Sequence, residues 1–383
     1  MYLNRLLEKP LAEAARAFPA VVITGPRQSG KSTLLQYFLK ARKGSLLSLE
    51  DPRIRGLLAE DAQGYLKQLP RPVILDEIQY WPDITLHVKI LVDADRKPGQ
   101  WFLTGSQQFA VMRHVSESMA GRAAILALPT LQLKERKTVP SLESFVTGST
   151  FPEPVVKRAV RPALWYSSYL QTYLERDVRT QLGVTDLRDF EQLIRLLAAR
   201  TSQVLNYSAL AQPLGISVPT VKRWVSMLEA SYLIHLLPPF HENYGKRIIK
   251  APKIYFLDPG LVAYLLNLDQ GPPVLNGPMA GVLFETAVVS EILKSQYGRG
   301  ERPSSYYWRS QDGHEIDLLM PGKGGYIPCE IKLASRVRTD HAANIRHWLA
   351  LASRKDAGGT LITNSREDLA LSGGIRNIHW SRL

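Results

Sequence analysis

The chain has 383 residues, of which 45% are apolar and 22% charged, and this globular composition excludes a disordered chain, a collagen-like repeat and a small disulfide scaffold. The formal net charge of +13 indicates an anionic partner, with nucleic acid ahead of a nucleotide and a nucleotide ahead of a membrane surface. The single cysteine, Cys329, allows no internal disulfide, so a reducing cytoplasm is expected; no run approaches the ~20 apolar residues of a membrane span, so no membrane partner is expected.

At roughly 150 residues per domain, the length predicts two or three domains. Residues 1–150 alternate helical stretches with short apolar runs, which is typical of an α/β domain with a parallel sheet. The small, polar residues of 141–154 predict a linker. Residues 151–270 predict a helical and winged-helix domain, and residues 271–383 predict a second α/β domain that begins with a long helix.

The first chemical motif is G-P-R-Q-S-G-K-S at residues 25–32, which satisfies the phosphate-loop pattern G-x-x-x-x-G-K-[ST]. An apolar strand precedes it and a helix follows, so backbone N–H groups and the helix N-terminus can surround phosphate oxygens. Lys31 is expected to reach the β- and γ-phosphates, and the Ser32 hydroxyl to bind Mg²⁺. ATP and Mg²⁺ are therefore the predicted cofactors, held by Gly25, Pro26, Arg27, Gln28, Ser29, Gly30, Lys31, Ser32 and Thr33.

A second apolar strand at 73–75 ends in two carboxylates, Asp76 and Glu77, about 45 residues after the loop. This spacing identifies the pair as the second half of the nucleotide site. We expect Asp76 to bind Mg²⁺ together with Ser32, and Glu77 to polarise the attacking water.

A third strand, at 101–104, ends in hydroxyl residues, and either Thr104 or Ser106 is expected near the γ-phosphate. Arg122 is a candidate for the charge-neutralising arginine of the site, in its own chain or from a neighbouring subunit, although an ordinary surface arginine is the alternative. The catalytic candidates are Lys31, Glu77, Ser106 and Arg122.

Further along the chain, a short helix at 208–214, a turn at Gly215 and a second helix capped by Ser217 predict a helix-turn-helix. One face of the second helix carries the apolar residues Val218, Val221, Val225 and Leu228. Lys222 and Arg223 lie on the other face, where they would meet a DNA groove.

A basic stretch at 245–250 lies between the strands that follow and predicts a wing that contacts phosphate. Double-stranded DNA is thus a predicted partner, although modules of this kind also bind proteins, and that alternative stays open. The predicted DNA-contacting residues are Lys222, Arg223, Lys246, Arg247 and Lys250.

Near the C-terminus, alternating apolar residues at 316–320 and 327–333 predict a hairpin with one buried face. If its turn is centred between residues 323 and 324, Asp317 lies across from Glu330, with Cβ atoms ~5 Å apart. One divalent ion can bridge carboxylates at that separation. Lys332 shares their face, whereas Cys329 falls on the apolar one.

Several motifs together resemble the AAA-type ATPases of bacteria and archaea that carry a C-terminal DUF4143 domain. In chain order they are G-P-R-Q-S-G-K-S-T from residue 25, L-D-E-I-Q from 75, L-T-G-S from 103, S-M-A-G-R from 118, Y-L-E-R-D-V from 173, L-L-A-A-R-T from 196, P-T-V-K-R-W from 219, Y-F-L-D-P-G-L from 255 and Y-W-R from 307. The resemblance covers nearly the whole chain. It implies Walker B roles for Asp76 and Glu77, a sensor role for residues 103–106, a functional Arg122, and a homo-oligomer in which one subunit completes another's site.

The C-terminal hairpin also resembles the PD-(D/E)xK nuclease core. That resemblance implies a metal site at Asp317 and Glu330, with Lys332 assisting the attacking water and Glu285 as the carboxylate on the preceding helix. A salt-bridged remnant of the nuclease fold is the alternative.

The resulting hypothesis is an ATP-hydrolysing protein that couples its nucleotide state to association with DNA. Two alternatives remain: an ATP-driven signalling switch that recruits proteins, and an ATP-gated, metal-dependent nuclease.

Overall fold

A computed structural model describes most of the chain and divides it into two compact units. The first unit comprises Met1–Leu131, Ala230–Tyr232 and Lys294–Arg302, and the second comprises the remaining residues. The described residues are 2–40, 43–105, 118–157, 159–173, 187–240, 251–268, 274–310, 312–323, 325–352 and 358–383. Within these ranges, the helices are all too short or too polar to cross a membrane.

The first unit is built on a parallel sheet of five strands in the order β2-β3-β4-β1-β5. The strands are β1 (Ala20–Thr24), β2 (Ser45–Ser48), β3 (Val73–Asp76), β4 (Trp101–Thr104) and β5 (Ala123–Ala127). Its helices are α1 (Glu8–Ala17), α2 (Lys31–Phe38), α3 (Pro52–Gln68) and α4 (Ile84–Ala94). The three predicted strands are confirmed, and the structure adds β2 and β5, two short strands that were not predicted.

Both faces of this sheet are covered by helices, which explains why its central strands read as continuous apolar runs. Alternate residues of β1 point to opposite faces, so Val21 and Ile23 join the core against α1 and α2. Ala20 and Val22 join the core against α3 and α4. The predicted parallel α/β domain is therefore confirmed.

The remaining helices lie wholly or mostly in the second unit. They are α5 (Leu142–Thr147), α6 (Pro152–Val156), α7 (Pro162–Tyr173), α8 (Leu187–Ala198), α9 (Tyr207–Leu214), α10 (Val218–Ala230), α11 (Pro259–Leu265), α12 (Ala280–Gly298) and α13 (Ala343–Leu351). The expectation of a linker at 141–154 is wrong. The Ser141 hydroxyl accepts the Ser144 N–H at 3.1 Å and starts α5, whose Phe145 and Val146 are buried.

The two helices expected for a helix-turn-helix are present as α9 and α10, and Gly215 follows α9 with φ +63°. Ser217 Oγ accepts the Thr220 N–H at 3.2 Å, as expected of an N-cap. An antiparallel hairpin of β6 (Ile234–Leu237) and β7 (Lys253–Phe256) follows. The predicted wing residues Lys246, Arg247 and Lys250 lie outside the described residues.

A mixed sheet of six strands completes the second unit, in the order β12-β13-β11-β10-β9-β8. These strands are β8 (Tyr306–Arg309), β9 (Glu315–Gly322), β10 (Gly325–Lys332), β11 (Gly359–Thr363), β12 (Ala370–Leu371) and β13 (Ile375–His379).

The predicted hairpin register of β9 and β10 is confirmed, because Leu318 lies opposite Cys329 and the next pair in that register is Asp317 and Glu330. The prediction of one buried face is incomplete. Both strands are interior, and α13 covers the second face with Ile345 and Trp348.

Candidate functional site

The phosphate loop leaves the end of β1 and turns into α2 through two glycines. A Cβ atom at Gly25, where φ is +142°, would lie 2.2 Å from the carbonyl oxygen of Leu128, so only glycine fits there. Gly30 precedes the first residue of α2 with φ +94°, in the left-handed region that favours glycine. The two positions fix a tight loop at the N-terminus of a helix, where anions bind.

Inside this loop, Lys31 is buried and its ammonium donates to the carbonyl oxygens of Gly25 at 3.1 Å and Pro26 at 2.9 Å. Ser29 is also buried, and its Oγ has no hydrogen-bond partner within the described part of the chain. A buried hydroxyl and a buried ammonium facing one small loop fit the phosphate oxygens of a nucleotide. Of the other predicted loop residues, Gln28 and Thr33 are exposed.

Arg5 anchors the loop from outside the motif. Its guanidinium donates from Nη1 to the Ser29 carbonyl at 2.7 Å and from Nη2 to the Pro129 carbonyl at 2.6 Å. Only 6% of Arg5 is exposed, and charge-assisted bonds of this kind are stronger than neutral ones. Arg5 is not among the predicted site residues, because an arginine before the first helix belongs to no motif.

The expected Mg²⁺ ligands are joined directly. Ser32 Oγ donates to both carboxylate oxygens of Asp76, at 2.8 and 2.9 Å. Thr104 Oγ1 donates to Asp76 Oδ1 and accepts the Glu77 N–H at 3.1 Å. Glu77 itself has φ +56° and accepts a hydrogen bond from the Gln79 amide. Hydroxyl and carboxylate oxygens together form a donor set that suits Mg²⁺.

The strand β4 contributes Thr104 to this group. The sequence pattern allowed Thr104 or Ser106 and favoured Ser106 as the catalytic candidate, but Ser106 lies outside the described residues. Thr104 is fully buried and contacts both Asp76 and Glu77. It is therefore the residue of this strand that positions Asp76 and Glu77.

Arg122 lies at the edge of the sheet opposite the phosphate loop. The carbonyl oxygen of Arg122 accepts the Ala20 N–H, at the start of β1, whereas the loop begins after Thr24, ~13 Å further along the strand. Its guanidinium donates to both oxygens of Asp93, at 2.6 and 2.9 Å. Arg122 therefore does not reach the phosphate loop of its own chain, which corrects the expectation that left a role within one chain open.

The predicted DNA-contacting residues on α10 are exposed, as expected from their side of the helix. Lys222 and Arg223 both face solvent, while Val221, Val225 and Leu228 are buried. The Lys222 ammonium lies 5.5 Å from the centroid of the Tyr207 ring on α9, within the range of a cation–π contact.

The carboxylates of the second unit form a charged cluster with two lysines. Lys332 Nζ lies 2.7 Å from Glu330 Oε2 and 3.7 Å from Asp317 Oδ2. Asp317 also accepts the Ile331 N–H at 2.8 Å, and Glu330 accepts the Asn344 amide at 3.4 Å. Within the described residues, no group of three His, Cys, Asp or Glu side chains is placed to hold a metal ion.

Glu285 joins this cluster from α12 through a lysine that the sequence analysis missed. Lys253 Nζ lies 3.5 Å from Glu285 Oε1 and also pairs with Glu315. The Tyr255 hydroxyl donates to Glu285 Oε1 at 2.6 Å. Lys253 is only 3% exposed, so its charge is balanced inside the protein.

Burial dominates the titration of these groups. It raises the pKa of Glu285 and of Glu330, and the nearby Asp317 carboxylate raises both further. Burial lowers the pKa of Lys253, but the surrounding carboxylates, chiefly Glu285, raise it above its ordinary value. Burial lowers the pKa of Lys332 as well, but Asp317 and Glu330 raise it above its ordinary value. Both lysines therefore stay charged.

Three family models match successive parts of the chain. Residues 17–137 match the model of an AAA domain, residues 141–271 the domain of unknown function DUF8612, and residues 280–383 the domain of unknown function DUF4143.

The uncharacterized protein Rv2008c of Mycobacterium tuberculosis is 30% identical over 326 residues, which cover 85% of this chain and 73% of the relative. The uncharacterized protein Mb2031c of Mycobacterium bovis matches with the same values. Among solved structures, the Walker-type ATPase PABY2304 of Pyrococcus abyssi is 17% identical with a TM-score of 0.42, over 67% of this chain and 94% of that one. The RuvB Holliday junction branch migration motor of Thermotoga maritima is 17% identical with a TM-score of 0.29, over 61% of this chain and 89% of that one.

Proposed function

The chain belongs to the family of Rv2008c and combines an AAA domain with a C-terminal DUF4143 domain, and we propose that it is a cytoplasmic ATPase whose nucleotide state controls its association with duplex DNA. The observation that carries the ATPase proposal is the connected group around the phosphate loop. There, Ser32 and Thr104 both bond to Asp76, and Lys31 points back into the loop.

Each residue of this group has a distinct task in hydrolysis. The loop N–H groups and Lys31 hold the phosphates, and Ser32 and Asp76 hold Mg²⁺, which when bound neutralises charge that develops on the phosphate oxygens. Glu77 polarises the attacking water. Thr104 accepts the N–H of Glu77. This bond holds the backbone that carries the base in a fixed position.

A Glu77→Gln variant tests this assignment. It keeps the size of the side chain and the backbone bond to Thr104, but it cannot accept a proton. We expect it to bind ATP with an affinity close to that of the wild type and to lose turnover by about 10²- to 10⁴-fold. Lys31→Ala is the matched control, which loses ATP binding itself. Normal hydrolysis in Glu77→Gln removes Glu77 as the base.

The position of Arg122 supports assembly of several copies. The residue does not reach the loop of its own chain, so a contribution to phosphate chemistry requires another copy to bring its loop to this edge. Within its own chain the guanidinium is held by Asp93 at the surface. We therefore assign Arg122 to the site of a neighbouring subunit in a homo-oligomer.

The DNA proposal rests on a winged-helix arrangement with an exposed basic face. The elements α8, α9, α10 and the β6–β7 hairpin follow one another in the order typical of that module, and α10 offers Lys222 and Arg223 to solvent. The net charge of +13 favours a polyanion. The competing function is a switch that recruits proteins. Binding to a protein that is independent of salt, together with no affinity for DNA, would favour the switch over the DNA proposal.

The charged cluster around Asp317 favours a structural role over an ATP-gated nuclease. Lys332 lies against Asp317 and Glu330, and Lys253 lies against Glu285. The carboxylates that would have to bind a divalent ion are thus already paired with ammonium groups. The wild type and Asp317→Ala are incubated with plasmid DNA and Mg²⁺ to test the structural role. Cleavage by the wild type that is lost in Asp317→Ala would instead support nuclease activity.

A further inference from the structure

Ala230, the last residue of α10, belongs to the first unit together with Ser231 and Tyr232, whereas the rest of the helix, Val218 to Glu229, belongs to the second. The boundary between the two units therefore falls at the end of the helix that carries Lys222 and Arg223.

Tyr232 lies two residues after the end of α10, in a backbone conformation that usually requires glycine. Its φ is +57°, and the Leu233 N–H donates to the Leu228 carbonyl at 3.0 Å. This is the bond of a Schellman cap, in which a left-handed residue, most often glycine, occupies the position of Tyr232. Tyrosine is disfavoured there, so contacts of its side chain must hold the residue in place.

Those contacts lead to the phosphate loop. The Tyr232 hydroxyl lies 2.8 Å from Thr24 Oγ1 in a buried hydrogen bond, and Thr24 is the last residue of β1, immediately before Gly25. The Tyr232 ring packs edge-to-face on Tyr297, with centroids 5.8 Å apart. Only 6% of Tyr232 is exposed, and burial raises the pKa of its hydroxyl, which therefore stays protonated.

We infer that Tyr232 is a positioning residue that couples occupancy of the phosphate loop to the C-terminal turn of helix α10. A nucleotide in the loop fixes the start of that loop and with it Thr24. The hydrogen bond between Thr24 and Tyr232 transmits this change to the capping residue of α10. The coupling does not require bound DNA. The inference rests on the proposed binding of ATP, but not on hydrolysis or on DNA association.

Amide hydrogen exchange of the full chain tests this coupling. The exchange rates of residues 225–233 are measured with and without Mg²⁺ and the slowly hydrolysed analogue ATPγS, in the wild type and in Tyr232→Phe. We expect the analogue to change exchange in this turn of the wild type by about two- to tenfold, the range of one hydrogen bond. Tyr232→Phe keeps the ring packing, and we expect its nucleotide-dependent change to disappear.

Two further variants keep the test decisive. Thr24→Val removes the same hydrogen bond from its other end, and we expect the same loss of response. Tyr307→Phe removes a comparable bond, from its hydroxyl to the Ala251 carbonyl at 2.7 Å, and serves as the matched control that keeps the wild-type response.

ATPγS affinity is titrated for every variant, so that loss of coupling is separated from loss of binding. A wild-type response in Tyr232→Phe overturns the inference, and so does a wild type that binds ATPγS without any change in this turn. Failure of the wild type to bind ATPγS overturns the ATPase proposal as well, and the titration reveals it directly.

Discussion

Replacement of Lys253 by methionine tests whether the carboxylate cluster is a structural ion network. The substitution keeps the length and apolar stem of the side chain but removes the ammonium that lies 3.5 Å from Glu285 and pairs with Glu315. Lys253 is 3% exposed, so water cannot replace the lost charge. Two carboxylates then lose their main counter-charge within the second unit.

The size of the effect follows from the burial of each partner. Removal of one member of a buried ion pair costs about 3–5 kcal/mol, because the other charge stays behind without compensation. Glu315 keeps part of its compensation from Arg309, whose Nε lies 3.7 Å away, and 28% of its side chain is exposed. We therefore expect a loss of about 3 kcal/mol, the lower end of that range.

The loss is measured by denaturant titration followed through amide exchange in β9 and β10, which reports on the second unit alone. The matched control is Lys157→Met, which removes an exposed ion pair with Glu153 and should cost no more than about 0.5 kcal/mol. Addition of Glu285→Gln to Lys253→Met should recover part of the loss. A cost for Lys253→Met as small as that of the control refutes the proposed charge balance.

Three other predictions concern pH, assembly and DNA. Burial raises the pKa of Glu285 and Glu330 above the ordinary 4.5. Above that pH the folded chain therefore binds more protons than the unfolded one, and the free energy of unfolding falls as the pH rises. Denaturation titrations should show a smaller decline with pH when either residue is replaced by glutamine. Arg122→Ala should lower ATP turnover by about 10³-fold, and mixing it with a chain that lacks the phosphate-loop lysine should restore turnover only if the arginine acts between subunits. Single alanine substitutions at Lys222 and Arg223 should each reduce the salt slope of duplex DNA binding by about 1, and unchanged slopes would remove α10 from the DNA interface.

Residues fixed by local pattern were predictable from the sequence. The phosphate loop and the Walker B strand combine apolar strands with a fixed spacing of glycine, lysine and carboxylate, and the structure places Ser32 against Asp76 as expected. The hairpin register was predictable for a similar reason, because a period of two and one turn position determine which residues lie opposite each other.

Residues that act through contacts distant in sequence were not predictable. Arg5 reaches Ser29 and Pro129, and Lys253 reaches Glu285 across 32 positions. Composition does not distinguish a buried lysine from an exposed one. The net charge therefore suggested a basic surface, although part of the positive charge is buried. Tyr232 reads as an ordinary apolar residue, and only the backbone conformation at the helix end reveals its position.

The location of Arg122 illustrates a further limit. The Gly-Arg motif indicates a functional arginine, but the edge of the sheet on which it lies depends on the direction of β5, a strand that the sequence pattern did not indicate. Parallel pairing of β1 with β5 decides that the residue is remote from its own phosphate loop. Topology, rather than motif, therefore separates action within a chain from action between chains.

The central claim is that ATP turnover at the phosphate loop is coupled to duplex DNA. It is tested most directly by the ATPase rate of the wild type and Glu77→Gln, with and without duplex DNA, across a salt series. We expect the wild type to hydrolyse ATP faster with DNA, the acceleration to fade as salt rises, and Glu77→Gln to bind ATP without turnover. A wild-type rate that is independent of DNA at every salt concentration, or undiminished hydrolysis in Glu77→Gln, would contradict the account.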